Sequence, residues 1–193
     1  MWVKQSSLRP VPPYARIGQN AIDTVLTDLT ESSEGPQGEV ELVFDDLDEA
    51  QPALAEFLAK EFSRPQDEDC LALGYFLSLT IWLSFVQAHG HSLDIVSEDL
   101  LRETQELIAV DQALRESEPN DPIDTADVIG MEQPELMKFI HSQVEGILDR
   151  SEGALDINEV QVIYRAVLVE VLALSYAVRS PAGFPIERSE VLA

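Results

Sequence analysis

The chain has 193 residues, 45% of them apolar, enough for one compact domain with a real core rather than a disordered polymer. Its 36 Asp and Glu against 12 Lys and Arg give a formal net charge of -24, which argues against direct binding of nucleic acid or anionic lipid surfaces, since both need a basic footprint. Such acidity is expected mainly to keep a bundle surface hydrated; a salt-adapted host gives the same bias, and an acidic face that meets a basic partner is the sharper reading.

Cys70 is the only cysteine, so no internal disulfide or cysteine-based zinc site can form, and a reducing compartment such as the cytoplasm is expected. Met1 to Pro13 has no apolar segment before Pro10, Pro12 and Pro13, so residues 1–14 read as an extended arm and not as a secretory signal. The first predicted helix runs from about Ala15 to Glu31, where Ile17, Ala21, Ile22, Val25, Leu26 and Leu29 recur at helical spacing. Gly35, Pro36 and Gly38 break it. Val40, Leu42 and Phe44 alternate as in a strand, but without an obvious partner the stretch reads as irregular or a short edge.

The second helix starts near Pro52, a residue suited to the first helical position, and carries Leu54, Phe57, Leu58 and Phe62. The third spans about Glu68 to His89 and is closed by Gly90. Its stretch from Cys70 to Ala88 has nineteen residues without a charge, close to a membrane span in length. Ser78, Thr80, Ser84 and Gln87 lie inside it, Asp67, Glu68 and Asp69 precede it, and no Lys or Arg flanks it, so a buried central helix is expected. The fourth helix follows Ser97 as N-cap and carries Leu100, Leu101, Leu107, Ile108 and Leu114 to about Glu116. A long acidic linker with Pro119 and Pro122 leads to the fifth, which opens at Pro134, presents Leu136, Phe139, Ile140, Val144, Ile147 and Leu148, and stops near Asp149. The sixth starts at Asp156, where Asp156 and Glu159 have the spacing of a reciprocal capping box, and continues to about Arg179. Residues 180–193, with Gly183 and Pro185, read as a loose tail.

Two stretches echo each other. Gln51, Pro52, Leu54, Phe57 and Leu58 recur 82 residues later as Gln133, Pro134, Leu136, Phe139 and Ile140. Tyr75, Leu79, Leu83, Phe85 and Ala88 recur 89 residues later as Tyr164, Leu168, Leu172, Leu174 and Ala177. Residues 15–179 are therefore expected to form one helical domain, readable as two pseudo-symmetric three-helix units over 15–90 and 97–179, with chance likeness of amphipathic helices as the alternative. In that arrangement the two long apolar helices pack centrally, helped by Ala166, Ala173 and Ala177 on one side of the last helix.

Candidate chemistry is sparse. Glu152, Gly153, Leu155, Asp156 and Glu159 lie between two predicted helices, and the eleven residues from Asp149 to Glu159 resemble the second half of an EF-hand calcium loop. The resemblance implies chelation through Glu159, but Asp149, Arg150 and Ser151 leave the first half one residue short. Gly153 as a helix end, with Asp156 and Glu159 as caps, is the preferred reading. His89, Gly90 and His91 with Asp94 suggest a metal site, against which stands a histidine at a helix C-terminus where its positive charge is favoured. His141 lacks the Glu three residues earlier that carboxylate-bridged di-iron bundles use.

Glu170, between Val169 and Val171, falls near the side of Glu159 and is expected on a solvated stripe. The alternative is a buried polar contact across the two units, which requires a hydroxyl or guanidinium partner. Thr80, Ser84 and Gln87 are expected to bond backbone carbonyls or a neighbouring helix, and Trp82 and Phe85 to fill the core. The runs Asp45, Asp46, Asp48, Glu49 and Asp121, Asp124, Asp127 read as helix-start charges and solvated linkers. No Gly-rich phosphate loop, Gly-x-Ser-x-Gly elbow or His-Glu-x-x-His helix occurs.

These observations predict an all-α bundle of roughly six helices whose role is protein interaction or regulation, with a metal-dependent or dispersed-site enzyme as the alternative. No catalytic residue, cofactor or metal ligand is assigned. The expected partner is a basic or helical protein, a homo-oligomer is compatible with the sequence, and neither nucleic acid nor membrane is expected.

Overall fold

A computed structural model of the chain describes residues 6–31, 44–117, 123–151 and 155–182. Among them run eight helices: α1 Gln19–Glu31, α2 over residues 44–50, α3 Pro52–Phe62, α4 Glu68–His89, α5 Glu98–Glu116, α6 Thr125–Glu132, α7 Pro134–Arg150 and α8 Ile157–Ala177. The described residues form no strand, only an antiparallel bridge between Leu93 and Val178. The protein is an all-α helical bundle, with two more helices than the roughly six that periodicity suggests.

The described part of α2 and the whole of α6 are short. Phe44 opens the described part of α2 instead of ending a strand, and Leu47 is its fully buried anchor; residues 40–43 of the expected edge lie outside the described residues. α6 forms inside the supposed acidic linker because Asp124 and Asp127 make a reciprocal capping box, each carboxylate accepting the other residue's backbone N–H at 2.8 and 3.0 Å. The capping box expected at Asp156 does not form. Asp156 accepts from Asn158 N–H at 2.9 Å, while Glu159 turns away to accept the N–H groups of Gln66 and Asp67 at 3.1 and 2.9 Å, just ahead of α4. There its charge meets the positive end of the α4 dipole and donors that would otherwise go unpaired.

The central pair is α4 against α8. α1 packs on α4 and α5 on α8, while α3 crosses to α8 and α7 crosses to α4. Gly74 permits the close approach of the central pair: an added Cβ would stand 2.8 Å from Ile163 Cδ1. Both central helices are long and apolar enough to cross a membrane, yet 61% and 72% of their apolar windows are buried inside the fold. Thr80 and Ser84 spend their hydroxyls on the carbonyls of Phe76 and Thr80 at 2.8 and 2.6 Å, so α4 carries them internally without external partners. Trp82 and Phe85 are core residues, as the sequence suggests, and Gln87 is exposed.

The order long helix, short helix, Pro-started helix, apolar helix occurs in residues 19–89 and again in residues 98–177. Gln51 and Gln133 hold the matching joints. Both are buried, both precede a helix-starting proline, and their backbones agree, at φ -139° and ψ 59° against φ -128° and ψ 65°. Gln51 accepts from Val96 N–H at 2.7 Å and donates to Asp94 O at 3.1 Å, on the segment leading into α5. Gln133 accepts from Ile17 N–H and donates to Ala15 O, both at 2.9 Å, on the segment leading into α1. Each glutamine thus replaces the hydrogen bonds that an extended buried segment would lack, and each serves the other half of the chain. This is why α1 starts at Gln19 and not near Ala15.

Candidate functional site

Several sequence candidates dissolve into structure. Of the calcium-like loop, residues 152–154 lie outside the described residues, Asp156 caps α8 and Glu159 is engaged ahead of α4. Around Gly90, whose φ of 48° closes α4, Asp94 forms an ion pair with Arg179 at 3.0 Å. Among the described residues no three His, Cys, Asp or Glu side chains stand where they could share a metal ion. His89 has its pKa lowered by burial, so its neutral form is favoured at neutral pH, which weakens the helix-dipole role expected of a charged imidazole. The Cys70 thiol is pushed up to about 11 by burial and by Asp67, Glu159 and Asp69, which leaves it a poor nucleophile.

Glu170 is not on a solvated stripe. It is fully buried on the central helix α8, and neither carboxyl oxygen makes a hydrogen bond among the described residues. α8 is enclosed by α3, α4, α5 and α6, so the side that Glu159 shares near its first turn is covered a few turns later. Burial raises the Glu170 pKa well above the ordinary value, which favours the protonated acid. Ser78 Oγ and Trp82 Nε1, one turn apart on α4, are likewise buried without a hydrogen-bond partner among the described residues.

Asp111, which the sequence did not single out, is the opposite case. Burial pushes its pKa up, but Arg115, Ser6, Thr125 and Ser7 outweigh that and hold the carboxyl below its usual range. Its oxygens accept from Arg115 Nε at 2.6 Å, Ser6 Oγ and Thr125 Oγ at 2.8 Å, and Ser7 N at 3.1 Å. One saturated carboxylate thereby ties the N-terminal arm, α5 and α6 together.

An open groove of about 650 Å³ runs along α6 and α7. Ile123, Met131 and Met137 give it apolar walls, Asp127, Lys138 and Glu145 charge its edges, and His141 lies at its base. Met131 is 62% exposed and Ile123 38%, large apolar surfaces on a chain otherwise rich in charge. His141 Nε2 and the Tyr164 hydroxyl share a hydrogen bond of 2.6 Å, with the rings stacked at 5.9 Å. Burial, then Asp124 and Asp127, push the Tyr164 phenol up, so it keeps its proton and fixes the imidazole in place. The sequence reading missed this groove because it missed α6; Asp124 and Asp127 at capping-box spacing were the available signal.

Fold and surface together define an all-α helical bundle with one methionine-lined groove between a short helix and its Pro-started successor. Compared with protein-family models, curated proteins and solved structures, the chain matches none.

Proposed function

We propose that the protein is an interaction module that receives a basic amphipathic helix of a partner protein in the α6–α7 groove. The observation that carries this reading is the open apolar groove with Met131 and Ile123 exposed on its walls. Amphipathic helices lay their apolar face into such grooves, and methionine adapts to the side chains it meets. Basic character of the partner is favoured by Asp127 and Glu145 at the groove and by the net charge of -24. In this reading the two halves are copies of one module, α4 and α8 are the core of a cytoplasmic protein, and one outward face has been turned to binding. At the 82-residue offset Gly130, Met131 and Lys138 correspond to Asp48, Glu49 and Glu56, so the other face is built for water.

A helical peptide patterned with Leu on one face and Lys on the other, titrated into the full chain, is expected to bind and to weaken as salt rises. Met131→Glu, which copies Glu49, should weaken binding by about tenfold or more, the cost of losing one apolar anchor, without moving the melting temperature. Equal affinity for a peptide of the same composition with scrambled periodicity, or unchanged binding to Met131→Glu, rejects the reading.

A further inference from the structure

A second groove, of about 340 Å³, opens where α3, α5 and α8 meet. Phe57, Ile108, Val162 and Val169 give it apolar walls, the Glu61 carboxylate and Gln105 line it as well, and two cations stand beside them, Arg64 just beyond α3 and Arg165 on α8. Two guanidiniums against one carboxylate reverse, at this groove, the balance of a chain with 12 basic and 36 acidic residues. Arg64 is paired with Glu61 at 2.8 Å. Arg165 is exposed and makes no ion pair or hydrogen bond among the described residues.

The other half shows what the same place looks like when it is closed. At the offsets of 82 and 89 residues, Phe57 corresponds to Phe139 and Arg165 to Phe76. The Phe76 ring rests on Phe139 with centroids 6.1 Å apart. Phe57 has no ring against it among the described residues, and the side chain at the Phe76 position is a cation. An aromatic plug in one half is replaced in the other by an apolar floor with no ring on it and a cation with no ion pair among the described residues.

We infer that this groove binds a small organic carboxylate with an apolar body. The Arg165 fork takes the carboxylate through paired N–H donors, and the apolar body lies on Phe57, Val162 and Val169. An exposed ion pair alone gives little affinity, so the charge supplies selectivity and the buried body supplies binding. The volume lies near the lower end of ligand pockets, about 300 Å³, which suits a body of several carbons.

The test titrates octanoate, octan-1-ol and acetate into the full chain and follows the methyl resonances of Ile108, Val162 and Val169. Octanoate is expected to shift them, octan-1-ol to bind about tenfold more weakly, and acetate to leave them unmoved, as loss of one charged hydrogen bond or of the apolar body implies. Arg165→Gln should bring octanoate down to the affinity of octan-1-ol, and Arg165→Phe should close the groove to both. Both replace an exposed side chain, and an unchanged melting temperature certifies the fold. Equal affinity for octanoate and octan-1-ol, unchanged binding in Arg165→Gln, or octanoate shifts confined to Met131 and Met137 would overturn the proposal.

Discussion

Residues 44–62 and residues 126–144 are built alike on the inside and differently on the outside. Leu47 and Ile129 are both fully buried and each accepts its following glutamine's N–H at 2.7 Å; Gln51 and Gln133 then turn the chain into a Pro-started helix with nearly the same dihedrals. Outward, Asp48, Glu49 and Glu56 face Gly130, Met131 and Lys138 in the comparison. Interior positions answer to packing and to the need to pair every buried polar group, so they have little freedom. Surface positions carry no such obligation, and it is there that a binding groove can arise in one half only.

The sharpest way to break this comparison is at the glutamines. The Gln133 side chain makes one more hydrogen bond than that of Gln51, donating also to Ser175 Oγ at 2.9 Å. Gln133→Ala should cost roughly 3 kcal/mol and Gln51→Ala about 2 kcal/mol, since each strands backbone groups in the core. Urea denaturation measures both, and a negligible cost at either site would show that the joint is not what holds the entry segments.

Gly74→Ala comes next. Its Cβ must displace Ile163 Cδ1 and meets the Phe62 ring at 3.3 Å, so the central pair should lose about 1–3 kcal/mol of stability. Adding Ile163→Val should recover part of the loss; if it deepens the loss, the contact is not the cause.

The smallest effect, and the most diagnostic, is the pH dependence of the two buried acids. Glu170 has a folded-state pKa raised above 4.5, so the folded chain binds this proton more tightly than the unfolded one. Its contribution makes stability fall as pH rises above 4.5, until the raised value is passed. Asp111 is lowered below 3.8, so its contribution is present above that pH and is lost as pH falls through the folded-state value. Glu170→Gln should remove the decline on the alkaline side, and Asp111→Asn the one on the acid side; an unchanged profile in Glu170→Gln would mean that the carboxyl is ionised in the fold. At the 89-residue offset Glu170 corresponds to Ile81 and Ser78 to Val167, both apolar and fully buried, so this titration belongs to one side of the α4–α8 interface alone.

Six long helices were legible because their apolar residues recur at helical spacing and because Pro52, Pro134, Ser97 and Gly90 punctuate them. The short helices were not. The described part of α2 spans about two turns and α6 eight residues, too little for a period to emerge, and Leu47 and Ile129 are their buried anchors. The candidate groove was illegible for the same reason, since one of its two walls is α6.

By itself the sequence determined the helical class, the long apolar helices that make the centre, and the acidity of what remains, because composition and periodicity are local properties of the chain. Only the tertiary structure decided which charged residues lie inside. Glu159 and Glu170 sit on one helix, yet the first reaches out to cap α4 and the second is sealed against it. A helical wheel assigns a side; what covers that side is set by helices from distant parts of the chain.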